Sequence, residues 1–241
     1  MVVTAAAGTG IGFATAKRCL EEGADLLVSD HHERRLEASA ETLRSMGLGA
    51  VHSQVCDVTD QAAVDKLFEA TEVAMGGLDV LVNNAGLGGM DTLVTMADET
   101  WQRILDVSLT GTMRCTRAGI NAMMRDAGGA IINNASVLGW RAQKGQSHYA
   151  AAKAGVMALT RCAALEAAEH NIRINAVAPS LAMHPFLEKA TGPELLESLR
   201  KREAFGRAAE VWEVANVIVF LASDLSSYMT GEIVPVSSQR A

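Results

Sequence analysis

Short apolar runs alternate with longer amphipathic segments along almost the whole of this 241-residue chain. The runs predicted as strands are 2–6, 26–30, 50–55, 78–85, 129–136, 172–179 and 232–237. They are rich in Val, Ile and Leu without clean alternation, as expected of strands buried on both faces of a sheet. The segments between them, predicted as helices, are 11–22, 33–46, 60–75, 99–124, 149–169 and 210–222.

Alternation of strands and helices implies parallel pairing with right-handed crossovers. The predicted fold is therefore α/β, with one doubly wound parallel seven-stranded sheet of Rossmann type and helices on both faces. No linker rich in Pro, Gly or Ser divides the chain, so we expect residues 1–241 to form a single domain. The non-periodic region 180–207 follows a strand's carboxyl end, where open α/β sheets bind ligands. We interpret it as a substrate lid; a surface helical excursion is the alternative.

Glycines at positions 8, 10 and 12 follow the first predicted strand and open a helix. Glycine lets the backbone approach a pyrophosphate, whose charge is stabilised at a helix N-terminus. The dinucleotide-binding fingerprint G-x-G-x-x-G is not met, because Phe13 occupies its last position. Alone, the loop indicates either a dinucleotide site or a tight turn.

Asp30 ends the second predicted strand, eighteen residues after Gly12. A carboxylate at this point accepts hydrogen bonds from both ribose hydroxyls of an adenosine and repels a 2′-phosphate, which predicts NAD over NADP. The cations that follow, His31, Arg34 and Arg35, could instead clasp a 2′-phosphate or belong to a solvated helix start.

Two more strand ends carry polar groups. Asp57 ends the third predicted strand, where it could accept from an adenine amino group or cap the next helix. The motif N-N-A-G at 83–86 ends the fourth strand, where it suits the ribose side of a cofactor or forms a turn.

Tyr149 and Lys153 are four residues apart and share one face of a predicted helix. A free tyrosine has a pKa near ~10, and a nearby ammonium favours the phenolate. The pair therefore reads as a tuned acid and base for carbonyl–alcohol chemistry, with the hydroxyl of Ser136 available to hold the substrate oxygen. Without the other motifs, an ordinary amphipathic helix would explain the pair.

Taken together and in this order, these motifs resemble the short-chain dehydrogenase/reductase family in its single-domain branch, over nearly the whole chain. Residues 4–12 are similar to the family's T-G-x-x-x-G-x-G loop, with one inserted residue and Ala5 in place of the first glycine. The N-N-A-G motif is unchanged, and residues 220–232 are similar to the family's C-terminal signature. Relatives carry several residues before the first strand, so we expect a shortened N-terminus here.

The resemblance implies hydride transfer between a substrate carbon and a nicotinamide cofactor. It implies that Tyr149 is the general acid/base, that Ser136 orients the substrate oxygen, and that Lys153 binds the nicotinamide ribose and lowers the pKa of Tyr149. The residues predicted to bind the cofactor are Thr4, Gly8, Gly10, Ile11, Gly12, Asp30, Asp57, Val58, Asn84, Ala85, Gly86, Tyr149, Lys153, Pro179 and Ala182.

The chain departs from the family at three positions. Ser108 stands where most members have an asparagine that supports a proton-relay water, so the relay is expected to be rewired or slower. Ser180 replaces the glycine after Pro179 and stiffens that loop. His184 replaces a threonine and is either a cofactor or substrate contact or a surface residue.

The predicted substrate pocket is apolar, which suits a bulky hydrophobic substrate. Its predicted lining comprises Met90, Leu93, Met96, Leu138, Trp140, Leu181, Met183, Phe186 and Leu187. Arg141 and Lys144 flank it and could meet an anionic handle such as a coenzyme A phosphate, or solvent. Several local runs resemble actinobacterial members that oxidise a ring hydroxyl on bicyclic acyl-CoA intermediates of steroid breakdown. The alternatives are a 3-oxoacyl reductase of fatty-acid metabolism and a non-catalytic dinucleotide-binding sensor.

The net charge of −7 argues against a nucleic-acid-binding face. The 4 cysteines lack metal-ligand or C-x-x-C spacing, which predicts no metal and a reducing compartment. No apolar stretch is long enough to span a membrane, and the start lacks the features of a signal peptide, so a cytoplasmic protein is expected. The resemblance also implies a homo-oligomer, a tetramer or a dimer, paired through the helices that hold Thr112 and Tyr149.

Overall fold

A seven-stranded parallel sheet forms the centre of the computed structural model, which describes residues 1–183, 187 and 191–238. Its strands are β1 (Val2–Val3), β2 (Leu26–Asp30), β3 (Val51–Val55), β4 (Val80–Asn83), β5 (Gly129–Asn134), β6 (Ile172–Pro179) and β9 (Ile233–Val236). The two short strands β7 (Ala182–Met183) and β8 (Ala209–Glu210) lie between β6 and β9 in the chain and are not part of this sheet. The order across the sheet is β3-β2-β1-β4-β5-β6-β9, and every neighbouring pair is parallel. The predicted doubly wound parallel sheet is confirmed.

Helices cover both faces of this sheet. They are α1 (Ile11–Glu21), α2 (Glu33–Arg44), α3 (Gln61–Met75), α4 (Asp98–Leu105), α5 (Gly111–Met123), α6 (Ser147–Ala167), α7 (Pro193–Arg202) and α8 (Val211–Ala222). Among the described residues, no helix has the length and apolar character needed to cross a membrane.

Adjacent strand residues point to opposite faces, which gives the molecule two apolar cores. Val2, Leu27 and Leu81 pack with residues of α3, α5 and α6. Their neighbours Val3 and Val28 pack with residues of α1, α2 and α8 on the other face. The prediction that the continuous apolar runs are strands buried on both faces of the sheet is therefore confirmed.

Two predicted boundaries are wrong for identifiable reasons. β1 ends at Val3 because Ala5 has φ 50°, in the left-handed region, which interrupts the extended backbone, although the main-chain N–H of Ala6 still donates to the carbonyl of Ser29 at 2.9 Å. The helix predicted over 99–124 is interrupted between α4 and α5 by a π-helical turn, Asp106–Thr110. Such an insertion shifts the helix face locally, and π-helical turns are frequent at functional sites.

The region predicted as a non-periodic lid contains regular structure. It holds α7, and Ala182–Met183 pairs in parallel with Ala209–Glu210 to form a small second sheet. Residues 184–186, which include His184 and Phe186, lie outside the described residues.

The strand order places a crevice where ligands bind in folds of this kind. β1 leads outward to β2 and β3 on one side, whereas β4 follows on the other side of β1. The crossovers therefore diverge at the carboxyl ends of β1 and β4, and this divergence opens the ligand crevice of doubly wound sheets.

Candidate active site

One large cavity, of about 1420 Å³, lies at the carboxyl edge of the sheet. Of the residues predicted for catalysis or cofactor binding, the ones that line it are Gly8, Gly10, Ile11, Gly12, Asp30, Asp57, Val58, Asn84, Ala85, Gly86, Ser136, Tyr149, Lys153, Pro179 and Ala182. The cavity thus brings together groups that lie more than 170 positions apart along the chain.

Thr4 is the predicted site residue that does not line the cavity. Its side chain is buried, and its hydroxyl accepts hydrogen bonds from the main-chain N–H groups of Asn84 (3.0 Å) and Ala85 (3.2 Å). Thr4 therefore acts beneath the cavity by fixing the loop that follows β4.

The glycine loop forms a cradle that fits a pyrophosphate. Gly10 is the N-cap of α1 and, within the described residues, receives no side-chain cap. A Cβ on Gly8 or Gly10 would meet no described atom within 4 Å, because both face open space. Gly8 also has φ +90°, which favours glycine. The uncapped N–H groups at a helix N-terminus suit an anion, so the residues present fit a dinucleotide cofactor.

Gly12 has a different role in the same loop. A Cβ there would overlap the main-chain carbonyl of Ala5 and lie 2.6 Å from Nδ2 of Asn84. The amide of Asn84 donates to that same carbonyl at 3.0 Å. Gly12 therefore allows α1 to approach the loop after β4 closely.

Asp30 is almost fully buried at the cavity wall. One carboxylate oxygen accepts from the main-chain N–H of His32 at 2.9 Å, and the other accepts from Ala7 at 3.4 Å. Nδ1 of His31 lies 3.3 Å and Nη2 of Arg35 lies 3.9 Å from the first oxygen. Of the basic residues that follow β2, His31 and Arg35 therefore lie beside the carboxylate of Asp30.

Asp57 takes part in a local turn and also faces the cavity. Its Oδ1 accepts from both the main-chain N–H (2.9 Å) and the hydroxyl (2.8 Å) of Thr59. The cap of α3 is instead Asp60, which accepts from Ala62. The helix-capping alternative for Asp57 is therefore wrong.

Lys153 is buried and held by the end of β5. Its Nζ donates to the main-chain carbonyl of Asn134 at 2.5 Å, and the side-chain amide of Asn134 donates to Oδ1 of Asn84 at 2.9 Å. A Cβ on Gly86 would lie 3.3 Å from Nζ. Sequence reasoning missed Asn134, although its position at a strand's carboxyl end is a signal that could have identified it.

Ser136 and Tyr149 face each other in the cavity. Ser136 precedes a short turn, and its hydroxyl accepts from the main-chain N–H of Leu138 at 3.2 Å. Burial raises the pKa of Tyr149 to about 12, while the hydroxyl of Ser136 acts in the opposite direction. Burial also lowers the pKa of Lys153 to about 8.

These pKa shifts differ from the expectation that Lys153 makes Tyr149 more acidic. Its Nζ lies 5.6 Å from the ring centroid of Tyr149, and removal of both groups from water disfavours the charged form of each. At neutral pH this arrangement holds a neutral phenol beside a cationic lysine. The phenol is therefore set up to donate a proton to an oxygen atom in the cavity.

Ser108 lies in the π-helical turn and is fully buried. Its hydroxyl accepts from the main-chain N–H of Leu87 at 2.9 Å and donates to the carbonyl of the same residue at 3.1 Å. The side chain is therefore committed to the loop after β4, which forms part of the cavity wall.

Ser180 also has a specific partner. Its hydroxyl donates at 3.3 Å to Oε2 of Glu203, and Ser238 donates to the same oxygen at 2.9 Å. Glu203 is buried and lines the cavity, so this carboxylate ties the loop after β6 to the end of α7 and to the C-terminal segment. Sequence reasoning gave no signal for Glu203.

The predicted apolar lining is confirmed only in part. Met90, Leu138, Leu181 and Leu187 line the cavity. The prediction is wrong for Leu93, Met96, Trp140 and Met183, which are absent from its lining, and Phe186 lies outside the described residues. Trp140 is 53% exposed and Leu93 is 70% exposed. Both lie in loops, where apolar residues follow no periodic pattern from which the direction of a side chain could be predicted.

The chain is similar to known proteins over nearly its whole length. Residues 5–238 match a family model described as enoyl-(acyl carrier protein) reductase. The chain is 64% identical over 241 residues to a protein from Mycobacterium tuberculosis named (5R,7aS)-5-hydroxy-7a-methyl-1-oxo-2,3,5,6,7,7a-hexahydro-1H-indene-carboxyl-CoA reductase. That match covers 99% of this chain and 92% of the relative.

Two further proteins are similar to almost the whole chain. A 3-oxoacyl-[acyl-carrier-protein] reductase from Thermotoga maritima is 38% identical over 231 residues, covering 95% of this chain and 93% of the relative. The crystal structure of a short chain dehydrogenase from Mycobacterium smegmatis has 60% sequence identity and a TM-score of 0.90, with coverage of 100% of this chain and 92% of that chain.

Proposed function

The chain belongs to the short-chain dehydrogenase/reductase family, and we propose that it uses NAD to interconvert a ring hydroxyl and a ketone on a bicyclic, steroid-derived acyl-CoA. As a family member it is an oxidoreductase that interconverts a secondary alcohol and a ketone, with a nicotinamide dinucleotide as cofactor. The name of the Mycobacterium tuberculosis relative describes a hydroxylated, methylated and oxo-bearing indene ring joined to carboxyl-CoA, and this supports the proposed substrate.

The observation that supports this proposal best is the shared cavity. Its wall includes both the glycine loop and the side chains of Ser136, Tyr149 and Lys153. When bound, the nicotinamide supplies or accepts the hydride. The chain's own residues then have to hold the substrate oxygen and move one proton.

We propose the following roles for the three polar side chains. The hydroxyl of Ser136 holds the substrate oxygen beside Tyr149. In the reductive direction Tyr149 donates its proton to that oxygen, and in the oxidative direction the phenolate takes the proton from the alcohol. The Lys153 cation, fixed by the carbonyl of Asn134, offsets part of the cost that burial adds to forming the phenolate.

The preference for NAD rests on Asp30. Its carboxylate is buried at the cavity wall, where a 2′-phosphate would face a negative charge. The guanidinium of Arg35 would attract a 2′-phosphate. Its Nη2 atom lies 3.9 Å from Oδ1 of Asp30, however, so the carboxylate partly neutralises the charge of Arg35. A reductive biosynthetic enzyme would normally use NADPH, so Asp30 also disfavours a 3-oxoacyl reductase.

We further propose that the chain is one catalytic domain, with 180–207 as a substrate lid, and that it works in the cytoplasm as a tetramer or dimer. Cys19, Cys56 and Cys115 are free and buried, which suits a reducing compartment. On α6, which would form the contact between subunits, Leu165 is 80% exposed. Light scattering on the purified protein measures the oligomeric state.

A substrate panel tests the proposed reaction. The purified protein is mixed with NAD or NADP and with hydroxyacyl-CoA thioesters, hydroxyacyl thioesters of acyl carrier protein, or free hydroxysteroids, and formation of the reduced cofactor is followed by absorbance. We expect the highest kcat/KM with NAD and a bicyclic hydroxyacyl-CoA. A clear preference for NADP, or for acyl carrier protein thioesters over every bicyclic substrate, would contradict the proposal.

A further inference from the structure

A second cavity, of about 550 Å³, lies directly beside the catalytic one. Met90, Gln143 and Leu199 line both cavities, so the two compartments share a wall. A substrate whose reacting ring lies at Tyr149 would therefore have a neighbouring compartment for a long substituent.

The shared wall is preformed by contacts between two loops. The main-chain N–H of Asp91 donates to the carbonyl of Gly145 at 3.0 Å, and the side-chain amide of Gln146 donates to Sδ of Met90 at 3.0 Å. Gly145 has φ +77°, a conformation that favours glycine at this turn. These contacts hold together the two loops that form the shared wall of the cavities.

Two unneutralised cations line this second cavity. Lys144 and Arg202 are both exposed, and neither has a hydrogen-bond or ion-pair partner in the part of the chain that the structure describes. The acidic residue that lines it, Asp91, accepts a hydrogen bond from Thr95 at 3.0 Å. A net positive site of this kind is unusual on a chain with a net charge of −7.

A third cation belongs to the neighbouring catalytic cavity. Arg141 lines the catalytic cavity, three positions before Lys144 on the same loop. Its Nη1 atom is buried and has no hydrogen-bond partner among the described residues. A buried donor without a partner is costly, which indicates that a polar group of a ligand completes this site.

We propose that the second cavity binds the phosphate groups of a coenzyme A thioester through Lys144 and Arg202, with Arg141 contacting a polar group of the pantetheine arm. This inference rests on the proposed function, because it takes the substrate to be an acyl-CoA. In an acyl-CoA the pantetheine arm separates the acyl group from the anionic nucleotide. The acyl ring would therefore lie in the catalytic cavity and the phosphates in the second cavity. Cationic side chains form strong charge-assisted hydrogen bonds with phosphate.

A binding experiment tests the site without catalysis. Free coenzyme A and pantetheine are titrated into the protein by calorimetry, with saturating NAD present so that the adenosine part of coenzyme A cannot occupy the dinucleotide site. We expect Lys144→Gln and Arg202→Gln each to weaken coenzyme A binding about tenfold, and the double variant about 100-fold. Pantetheine, which lacks the phosphates at issue, should bind the parent and the double variant equally.

The matched control is Lys201→Gln, which removes an exposed cation of α7 that pairs with Glu197 at 3.6 Å and does not line the cavity. It should leave coenzyme A binding unchanged. Higher ionic strength should weaken coenzyme A binding to the parent and have little effect on the double variant. Equal coenzyme A affinity in the parent and the double variant would overturn the proposed site, as would an equal loss for pantetheine.

The outcome separates this inference from the proposed reaction. If coenzyme A binding depends on Lys144 and Arg202 but no hydroxyacyl-CoA is oxidised, the phosphate site is supported and the substrate proposal fails. If a hydroxyacyl-CoA is oxidised with the same KM by the parent and the double variant, the reaction is supported and the phosphate site is wrong.

Discussion

The Nζ atom of Lys153 lies 5.6 Å from the ring centroid of Tyr149, and the same atom donates a hydrogen bond to the main-chain carbonyl of Asn134. The lysine is thus anchored by the sheet, and its charge lies beside the phenol without a direct hydrogen bond to it among the described contacts. Both side chains project from α6 into the cavity, so this helix sets the distance between them.

Tyr149→Phe tests the proposed proton transfer. The ring remains in place but the proton donor is lost, so we expect kcat to fall at least about 10³-fold while NAD still binds. Steady-state assays and a titration of NAD by fluorescence measure the two effects. The matched control is Tyr228→Phe, at the chain's other tyrosine, which is fully exposed and should retain full activity. Comparable turnover by Tyr149→Phe and the parent would end this mechanism.

Lys153→Met tests the cost of burying the lysine. Burial lowers the pKa of Lys153 from 10.5 to about 8, so between these pH values the unfolded chain holds a proton that the folded chain has released. Burial of Lys153 therefore lowers the free energy of unfolding most below pH 8, and this cost decreases as the pH rises toward 10.5. At pH 7 we expect Lys153→Met to raise the free energy of unfolding by about 1–3 kcal/mol and to abolish activity.

Urea unfolding from pH 7 to pH 10 measures this effect. The stability advantage of Lys153→Met should shrink as the pH rises. Lys66→Met, at an exposed position on α3, is the control and should change the free energy of unfolding by less than about 0.5 kcal/mol. An advantage that is absent at pH 7, or that grows with pH, would show that burial does not disfavour the lysine's charge.

Asp30→Asn tests the preference for NAD. The change removes the charge that repels a 2′-phosphate and leaves Arg35 free to attract one, so we expect the ratio of kcat/KM for NAD to that for NADP to fall by about 10- to 100-fold. Assays with each cofactor at a fixed substrate concentration measure the ratio. Asp65→Asn, which removes an exposed carboxylate of α3, should not change it. A ratio unaltered by Asp30→Asn would assign cofactor choice to other residues.

The fold could be predicted from the sequence because the apolar runs report burial on both faces of a sheet. The sequence predicts the limits of β2 and β6 to the residue, and those of most other elements to within two residues. The π-helical turn at Asp106–Thr110 could not be predicted, since one extra residue in a long amphipathic segment barely disturbs its periodicity. The end of β1 was also missed, because alanine rarely adopts the positive φ that Ala5 has.

The position of the site was predictable, but its electrostatics were not. The four-residue spacing predicts that Tyr149 and Lys153 lie on one face of a helix. The direction in which their pKa values move depends on how much water the rest of the molecule excludes, and this is a property of the tertiary structure. For the same reason Glu203 was missed: its partners Ser180 and Ser238 are distant in sequence.

Gly12→Ala tests the close approach that shapes the glycine loop. A Cβ at this position would overlap the carbonyl of Ala5, which is main chain, and lie 2.6 Å from the amide nitrogen of Asn84. Main chain cannot swing aside as a flexible side chain can, so we expect the free energy of unfolding to fall by about 1–3 kcal/mol, with weaker NAD binding. The matched control is Gly10→Ala, where a Cβ meets no described atom within 4 Å. Its loss of stability should stay below about 1 kcal/mol, although NAD binding should weaken because the methyl group points into the cradle. Denaturant unfolding with and without NAD separates the two effects, and equal stability of both variants would show that α1 can shift away from the loop after β4 at little cost.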